Sequence, residues 1–420
     1  MFARLPDDAA TDVAITIDGE PFAARAGDTV AAALLAAGRR VFRAAPATGA
    51  PRGPYCLMGV CFECMVTVDG RPDQQACMLA VAPGMRIETG RGVCADMTTL
   101  DVAIVGAGPA GLAAATLCAE RGLSTSLYDE HGGPGGQIYR GITTASRARA
   151  EFLGEDYWRG ATLVPPFERS GARYVPGATV WALARRADGT FGVSQSAGPP
   201  TARYATTVEA RAVILATGAQ ERPFPIPGWT LPGVLAAGGA QLLLKTSSLV
   251  PRGRVVLAGS GPLLWLLAAQ YLRAGVAIAA FLDTTPRGRL AQAAPLAPGF
   301  MLSPYLAKGL DLVRFVRRRA RVVEYVTALA VEGKDAAEAV RFRHGSHEET
   351  LPADLVLLHQ GVVPDVQLAG AAGCALAWND VQACFAPVVD VWGGTSVPGL
   401  YVAGDGAGIA GAEAAEARGR

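Results

Sequence analysis

Four cysteines near the start of the chain have a spacing that suits an iron–sulfur cluster. They form the pattern C-x4-C-x2-C-x12-C, at Cys56, Cys61, Cys64 and Cys77. Three thiolates from one tight loop and a fourth from a nearby strand can surround a two-iron, two-sulfide unit, and this is the plant-type arrangement of such ligands. Gly59 lies inside the first gap, where the backbone has to fold closely around the sulfides. The spacing predicts a [2Fe-2S] cluster held by these four thiolates.

Zinc or a disulfide could also use these cysteines. A structural zinc site usually combines two C-x2-C pairs, or cysteine with histidine, whereas this segment has one such pair and no histidine. A disulfide would need an oxidising compartment, and no signal peptide is evident before the segment. The pattern favours the cluster, with zinc as the main alternative.

A glycine-rich turn about forty residues after Cys64 has the features of a dinucleotide site. A buried strand is expected to end at Val105, before the turn and a helix. Gly106 permits the tight turn, Gly108 lets a diphosphate approach the backbone, and Gly111 allows helix and strand to pack closely. The phosphates would lie at the helix N-terminus, where free amides favour negative charge. An ordinary glycine turn is the alternative.

An acidic side chain after the following strand would bind the adenosine ribose of that dinucleotide. Asp129 follows Gly111 by eighteen residues, and Glu130 is the alternative if the register shifts by one. Both carboxylates are candidate ribose ligands.

A second unit of the same kind begins at residue 253. Gly259 and Gly261 match the first two glycines, but Leu264 replaces the third, so the helix must lie farther from the strand. Asp283 ends the next predicted strand, where it could bind a ribose. Adenine-nucleotide binding, productive NAD(H) chemistry and a vestigial domain all stay open for this unit.

Among the four histidines, His359, at the end of an apolar strand, is the candidate for a flavin or nucleotide contact, with a structural role as the alternative.

Short elements must hold the cysteines in place. Residues 12–25 predict a hairpin, and Asp28 is the expected N-cap of an alanine-rich helix that ends at Gly38. The strand MVTV and a turn at Asp69-Gly70 would bring Cys77 back to the other thiols. A last strand near RIET completes this part, and residues 91–99 are expected to form a linker.

Composition bounds the class of protein. The chain has 420 residues, half of them hydrophobic, with 38 basic and 37 acidic side chains. This length supports two or three domains, and the charge balance gives no surface for nucleic acid or an anionic membrane. The longest apolar stretch, 261–281, includes Gln270 and Arg273, which favours a buried helix and strand over a membrane span. The first residues show no apolar signal segment, so we expect a cytoplasmic protein.

Several segments resemble known flavoproteins. One segment resembles the [2Fe-2S] ferredoxin-like domains at the front of multisubunit dehydrogenases, namely GPYCLMGVCFECMVTVDG. Two other segments resemble parts of flavoproteins with two dinucleotide folds, namely AVILATGAQERPFPIPGW and TSVPGLYVAGDGAGIAGAEAAEA. The resemblance implies an α/β fold of two Rossmann-like dinucleotide-binding domains, as in glutathione reductase, preceded by a small α+β ferredoxin-like domain. The expected domains are 10–92 for the cluster, 98–231 with 363–420 for FAD, and an inserted nucleotide-binding domain at 232–362.

The same resemblance implies further FAD contacts. The aspartate of the Gly-Asp pair bonds the flavin ribityl chain in that superfamily, and this role falls on Asp405. The other expected contacts are Gly136, Gln137, Thr217, Gly218 and Gly404, while Arg140 could approach the flavin or serve only its loop. No cysteine lies between Cys118 and Cys374, so disulfide reduction is disfavoured.

Nearly the whole chain resembles the fused small and flavin subunits of a dehydrogenase group that includes hydrogen cyanide synthase, opine oxidases and D-hydroxyproline dehydrogenase. The segments that carry this resemblance include GGPGGQIYR, LAGSGPLL and AGDGAGIAGA. The sarcosine oxidase alpha subunit is a more distant relative. The resemblance implies a hetero-oligomer in which a separate flavin subunit of the amino-acid-oxidase type holds an amine, and this chain passes electrons to an acceptor protein or a quinone chain. Relatives also usually continue beyond the position of Arg420. The rival functions are a self-contained NAD(P)H-dependent ferredoxin-type reductase and a non-catalytic assembly subunit.

Overall fold

The computed structural model describes residues 11–45, 50–59, 61–90, 95–146, 150–198, 204–288 and 304–420. Its N-terminal part contains β1 (Asp12–Ile17), β2 (Glu20–Arg25), α1 (Val30–Ala36), β3 (Arg43–Ala44), β4 (Pro51–Arg52), β5 (Met65–Val68), β6 (Arg71–Gln75) and β7 (Arg86–Glu88). The main sheet has the order β2-β1-β7-β5-β6, and β3 pairs with β4. Alternate residues of β1 and the apolar side of α1 form a small core of their own.

The predicted hairpins and strands of this part are confirmed, but the predicted N-cap is wrong by one residue. The Thr29 side chain accepts a hydrogen bond from the Ala32 amide at 3.2 Å, so Thr29 caps α1. Asp28 instead accepts from the Arg25 amide at 3.0 Å and closes the preceding turn. Both residue types are good caps, and only the path of the chain decides between them.

The central part is built on a long sheet. It contains β8 (Ala95–Val105), α2 (Pro109–Glu120), β9 (Thr125–Asp129), α3 (Ala150–Leu153), α4 (Glu155–Trp158), a 3-10 turn (Arg159–Thr162), α5 (Val164–Arg169), β10 (Arg173–Pro176), β11 (Thr179–Arg185), β12 (Phe191–Ala197), β13 (Tyr204–Leu215) and β14 (Ala219–Glu221). The order is β10-β9-β8-β13-β12-β11. Strands β8, β9, β10 and β13 are parallel, and β11 and β12 continue as an antiparallel meander.

The expected linker is shorter than the sequence suggested. Strand β8 begins at Ala95, which pairs with Thr207 of β13, so half of the interval 91–99 belongs to the sheet. Residues 91–94 lie outside the described residues.

A second, parallel sheet follows. The elements are β15 (Val234–Ala236), α6 (Ala237–Ser247), β16 (Val255–Ser260), α7 (Pro262–Arg273), β17 (Ile278–Asp283), α8 (Pro304–Arg317), β18 (Val322–Val323), β19 (Val326–Glu332), β20 (Ala339–His344), β21 (His347–Pro352), β22 (Leu355–Gln360) and β23 (Val362–Pro364). The parallel order is β15-β22-β16-β17-β18, with β19-β20-β21 as a separate antiparallel sheet. The apolar stretch 261–281 forms α7 and most of β17, as predicted. Strands β14 and β23 pair with each other where the chain passes between the two large sheets.

The C-terminal part returns to the central sheet. It contains α9 (Gln367–Ala371), β24 (Leu376–Asn379), β25 (Cys384–Pro387), β26 (Leu400–Val402), a 3-10 turn (Gly404–Ala407) and α10 (Ala412–Gly419). Strand β26 pairs in parallel with the end of β13. None of the helices in the described part of the chain has the length and apolar character that crossing a membrane requires.

The two nucleotide-type sheets share one hydrophobic core. Leu244 and Leu267 of the second unit lie in the same buried cluster as Ile104 and Trp158 of the first. A buried hydrogen-bond chain crosses the same boundary: the Gln241 amide donates to Gln270 at 2.9 Å, and Gln270 donates to the Leu153 carbonyl at 3.1 Å. The second unit is therefore packed onto the first through an apolar interface.

Candidate functional site

Three of the four cysteines lie in the loop between β4 and β5, and Cys77 follows β6. The Cys61 amide donates to the Cys56 sulfur at 3.4 Å, and the Met58 amide approaches the same sulfur at 3.5 Å. Cys64 and Cys77 are buried side by side on the domain core. Burial, together with the neighbouring Cys77, raises the pKa of the Cys64 thiol to about 12. Such thiols ionise only when a cation compensates for the buried charge.

The backbone of the loop explains this arrangement. Leu57, Gly59 and Phe62 all have positive φ, at 54°, 82° and 54°, which curls the chain and turns its amides inward. The side-chain amide of Gln75, on β6, donates to the Gly59 carbonyl at 2.9 Å and fixes the tip of the loop. The predicted strand β5 and the turn at Asp69-Gly70 return the chain to Cys77, as expected.

Four sulfur donors without histidine fit an iron–sulfur cluster. Within the described residues, no group of three or more His, Cys, Asp or Glu side chains is close enough together to hold a metal ion. A two-iron unit spreads its four ligands over two metal atoms, whereas tetrahedral zinc needs all four around one point. The Cys61 amide contacts the Cys56 sulfur and the Cys64 and Cys77 side chains lie together, an arrangement that suits the former.

The first glycine turn, Gly106–Gly108, lies at the carboxyl edge of the central sheet. A Cβ at Gly106 would run into the Ala216 carbonyl oxygen, which accounts for the glycine. At Gly108 a Cβ would meet nothing closer than Gly136 Cα, at 3.9 Å, so the backbone is open to a ligand. No described side chain caps α2, whose first amides stay available to an anion. The turn fits a diphosphate.

The two candidate ribose acids have different surroundings. Asp129 is buried, and its two carboxylate oxygens accept from the Ala107 amide at 2.6 Å and the His131 amide at 2.8 Å. Glu130 has a side chain that is 61% exposed, on the same edge. Asp129 therefore braces the glycine turn, and Glu130 is the more exposed of the two acids.

The other predicted FAD contacts gather around this edge. The Gly135 amide donates to the Ala107 carbonyl at 2.8 Å, which places the loop with Gly136 and Gln137 directly against the turn. Thr217 and Gly218 follow β13, and the Thr217 hydroxyl donates to the Asp365 carbonyl at 3.0 Å. Gly404 and Asp405 follow β26, the next strand of the sheet.

Asp405 has a structural task at the start of the last helix. One of its oxygens accepts from the amides of Ala410 and Gly411, at 2.9 and 3.0 Å. These bonds hold the chain as it enters α10, which packs on α2. The carboxylate is therefore fixed close to the first turn.

Two basic groups adjoin the loop at Gln137. Arg140 donates from Nε to the Gly136 carbonyl at 3.2 Å. Burial lowers the pKa of Arg140, although the negative charges of Asp129 and Glu130 act to raise it. Lys245, from α6 of the second unit, is 4% exposed and donates to the Gln137 carbonyl at 3.3 Å. Burial, and then Arg140, lower the pKa of Lys245 to about 7. Sequence reasoning missed Lys245, although a lysine within an otherwise apolar helical run was a usable signal.

The second glycine turn lies at the carboxyl edge of the parallel sheet. Gly259 pairs with Asp283 of β17, so Asp283 occupies the register position that Asp129 has in the first unit. The position of Glu130 corresponds to Thr284, which accepts a hydrogen bond from the Gln360 amide at 2.8 Å. Asp283 itself accepts from the Thr285 amide at 2.8 Å. Leu264, in place of the third glycine, is fully buried in the shared core.

The cluster loop and the central sheet meet through two aromatic rings. Phe62, between Cys61 and Cys64, stacks on Trp181 of β11 with ring centroids 5.4 Å apart and planes 8° from parallel. Strand β11 begins beside the end of β9, where the Ala178 amide donates to the Asp129 carbonyl at 2.8 Å. The cysteine loop therefore lies against the strand that leads away from the first nucleotide site.

Two family models match the chain. Residues 10–92 match the 2Fe-2S iron-sulfur cluster binding domain, and residues 100–419 match the pyridine nucleotide-disulphide oxidoreductase family. The chain belongs to the pyridine nucleotide-disulphide oxidoreductase family and carries an iron–sulfur domain ahead of it. These matches confirm the predicted fold class and support a [2Fe-2S] cluster and FAD as cofactors of an FAD-dependent oxidoreductase subunit.

Curated relatives agree with the predicted group. The chain is 50% identical to an opine oxidase subunit of Agrobacterium tumefaciens (strain Ach5), over 76% of this chain and 64% of that protein. It is 34% identical to the HcnB subunit of hydrogen cyanide synthase from Pseudomonas aeruginosa, over 76% of this chain and 68% of that protein. The chain thus spans less than two thirds of the length of that opine oxidase polypeptide.

A solved structure shows the same fold over almost the whole chain. L-proline dehydrogenase from P. horikoshii superposes with a TM-score of 0.54 at 20% identity, covering 99% of this chain and 72% of that one. At this identity the likeness concerns the fold.

Proposed function

We propose that this chain is the electron-transfer flavoprotein subunit of a multisubunit amine or amino-acid dehydrogenase of the opine type. The observation that carries the proposal is the stack of Phe62 on Trp181, because it joins the cysteine loop to the sheet that holds the first glycine turn. Bound FAD takes up electrons in pairs and releases them one at a time, and a [2Fe-2S] cluster accepts single electrons.

The chain's own residues would hold these groups. Cys56, Cys61, Cys64 and Cys77 supply the four thiolates, and the amides of Met58 and Cys61 stabilise charge on the Cys56 sulfur. The turn Gly106–Gly108 and the N-terminus of α2 receive the diphosphate of FAD. The same carboxyl edge of the central sheet is lined by Gly136, Gln137, Thr217, Gly218, Gly404 and Asp405.

Glu130, rather than Asp129, is our candidate for the FAD ribose. Support comes from the two amides that already occupy the Asp129 carboxylate. Glu130→Gln should weaken FAD binding about 10-fold without loss of stability, since a charge-assisted hydrogen bond becomes a neutral one. Asp129→Asn should instead lower the melting temperature. Unchanged FAD affinity in Glu130→Gln would show that another group holds the ribose.

The proposal includes partners. A hetero-oligomer is expected, in which a separate flavin subunit of the amino-acid-oxidase type binds the amine and an acceptor protein or quinone chain takes the electrons. Purification of a tagged chain from its own host, followed by mass spectrometry of what remains bound, tests this. Recovery of the chain alone, with no flavin-containing partner, contradicts it. The cytoplasmic location stays a prediction.

A self-contained NAD(P)H-dependent reductase is the second candidate, because a second glycine turn is present at Gly259–Gly261. Anaerobic titration with NADH separates the two functions. The favoured function predicts that the purified chain keeps its oxidised flavin spectrum with NADH and bleaches only with a partner and an amine. Rapid stoichiometric bleaching by NADH alone would establish the reductase. Protein without flavin or cluster absorbance would favour an assembly role.

A further inference from the structure

A two-stranded hairpin near the C-terminus presents its aromatic side chains to solvent. Strands β24 and β25 pair with Trp378 directly opposite Phe385, so both rings lie on one face of the ribbon. Their ring centroids are 5.2 Å apart, and the two residues are 51% and 53% exposed. Cys384, on the opposite face, is buried. The ribbon therefore turns its large apolar side chains away from the core of the protein.

The turn that follows β25 extends this apolar face. Trp392, in the turn, is 86% exposed. One carboxylate oxygen of Asp390 accepts hydrogen bonds from the amides of Trp392 and Gly394, both at 2.8 Å, so the turn has a defined shape. The Val388 amide donates to the Ala375 carbonyl at 2.9 Å, which keeps the start of this segment beside the hairpin. The backbone that carries Trp392 is thus ordered before any partner binds, which lowers the entropic cost of binding.

Two sets of hydrogen bonds hold the hairpin beside one end of the proposed flavin site. The side-chain amide of Gln382, between β24 and β25, donates to the Ile409 carbonyl at 2.8 Å and accepts from the Ile409 amide at 3.0 Å. Arg222, which follows β14, donates to the carbonyls of Gln382 and Ala383, both at 2.9 Å. Ile409 belongs to the segment that links Asp405 to α10. The turn of the hairpin therefore lies next to the segment that carries Asp405.

The makeup and extent of this outward face fit a protein–protein interface. We call it the aromatic hairpin surface, and its exposed apolar residues are Leu376, Trp378, Val381, Phe385, Val388, Val391 and Trp392. Each aromatic side chain can bury about 150 to 250 Å², so the three aromatic residues alone leave several hundred Å² uncovered at the exposures given above. Monomeric proteins rarely expose larger apolar patches without a functional reason, and a standard interface covers about 800 Å² per partner. The surface is large enough to be the centre of such an interface.

The charges of this segment favour a different polypeptide over a second copy of the chain. Between residues 366 and 403 the charged side chains are Asp380 and Asp390, and the sequence has no lysine, arginine or histidine there. A two-fold interface would place this acidic surface against itself, since both copies present the same residues. A partner whose apolar residues are surrounded by lysine or arginine complements the surface.

We propose that the aromatic hairpin surface is the docking site of the separate amine-binding flavin subunit, which meets it with apolar residues and places basic side chains opposite Asp380 and Asp390. The inference rests on the proposed function, because that function requires a partner that delivers electrons to FAD. Docking here brings the partner beside the segment that carries Asp405. The aromatic rings supply most of the affinity, and the two carboxylates orient the partner.

Binding between purified subunits tests the surface. The probe is the flavin-containing polypeptide that co-purifies with the tagged, unmodified chain, produced separately and titrated against the full-length chain loaded with FAD and cluster. Trp392→Ser should weaken binding about 30-fold, the loss that truncation of a central interface tryptophan commonly causes. Trp229→Ser, at an exposed tryptophan in the segment that lies against β19, is the matched control and should bind as the unmodified chain does.

A charge reversal tests the chemistry of the partner. Asp380→Lys should slow association with the same flavin subunit and reduce the dependence of the association rate on salt, because an attractive charge becomes a repulsive one. Asp335→Lys, at an exposed carboxylate between β19 and β20, is the control and should leave the association rate unchanged. Equal or faster association in Asp380→Lys would overturn the basic partner surface.

Three further results overturn the docking site, and each has a separate meaning. Equal affinity of Trp392→Ser and the unmodified chain for the flavin subunit would place the docking site elsewhere and leave the proposed function intact. A dimer of the unmodified chain that becomes a monomer in Trp392→Ser, measured by sedimentation, would assign the surface to a second copy. Recovery of the tagged chain without any flavin-containing polypeptide would remove the partner and the proposed function together.

Hydrogen exchange of the unmodified chain gives the answer if Trp392→Ser loses its FAD or does not fold. Amides of residues 388–394 should exchange more slowly in the presence of the flavin subunit, because docking covers this turn. Exchange that is unchanged in this segment while the two subunits remain bound would refute the docking site.

Discussion

Lys245 is a charged side chain in a place that disfavours charge. Burial, and to a smaller extent Arg140, lowers its pKa to about 7. In an unfolded chain the pKa of lysine is about 10.4. Between these values unfolding takes up a proton, so the free energy of unfolding rises with pH by about 1.4 kcal/mol per pH unit. We expect Lys245→Met to be more stable than the unmodified chain at pH 7 and to lose this advantage towards pH 10. Denaturant unfolding at pH 7, 8 and 9 measures the difference.

Lys308, exposed on α8, supplies the control for this prediction. Lys308→Met should leave the pH dependence of unfolding unchanged. The same pH dependence in Lys245→Met and the unmodified chain would show that Lys245 is protonated in the folded state at these pH values. The contact with Gln137 would then be that of an ammonium group.

Strand β11 and the cysteine loop are joined by the Phe62–Trp181 stack. Stacked aromatic pairs contribute about 0.5 to 1.5 kcal/mol beyond the area they bury. Trp181→Ala should therefore lower the protection of the β5 amides against hydrogen exchange by about 1 kcal/mol while FAD stays bound. Trp378→Ala is the matched control, because Trp378 contacts Phe385 on a hairpin outside the cysteine loop. Equal exchange in both variants would mean that the stack does not hold the loop.

Separate cores carry the two redox groups. The cysteine loop rests on the core of β1, β5 and α1, while the first glycine turn rests on the cores of the central sheet. Cys61→Ser should therefore abolish reduction of an external acceptor while FAD remains bound. Cys118→Ala, the control, should leave acceptor reduction and FAD binding unchanged. Absorbance and low-temperature paramagnetic resonance of dithionite-treated protein report the two groups. Loss of flavin in Cys61→Ser would contradict this separation.

Local patterns predicted most of the helices and strands and the position of the first glycine turn. The spacing of the cysteines, the turn at Asp69-Gly70 and the strand before Gly106 depend on neighbours in sequence, which is why they could be predicted. Errors arose where neighbouring residues had equal propensity. Asp28 and Thr29 both cap helices well, and the tertiary path of the chain selected Thr29.

The sequence by itself determined the four-cysteine loop and the two glycine turns, because each follows from residue type and short spacing, and its resemblance to flavoproteins with two dinucleotide folds implied the class of fold. Tertiary structure alone decided that Asp129 faces inward and Glu130 outward, and that Lys245 reaches Gln137. It also brought Glu221 to His359 and Phe62 to Trp181. The members of these last three pairs are far apart in sequence, and their contacts depend on how sheets and helices pack, which no local pattern encodes.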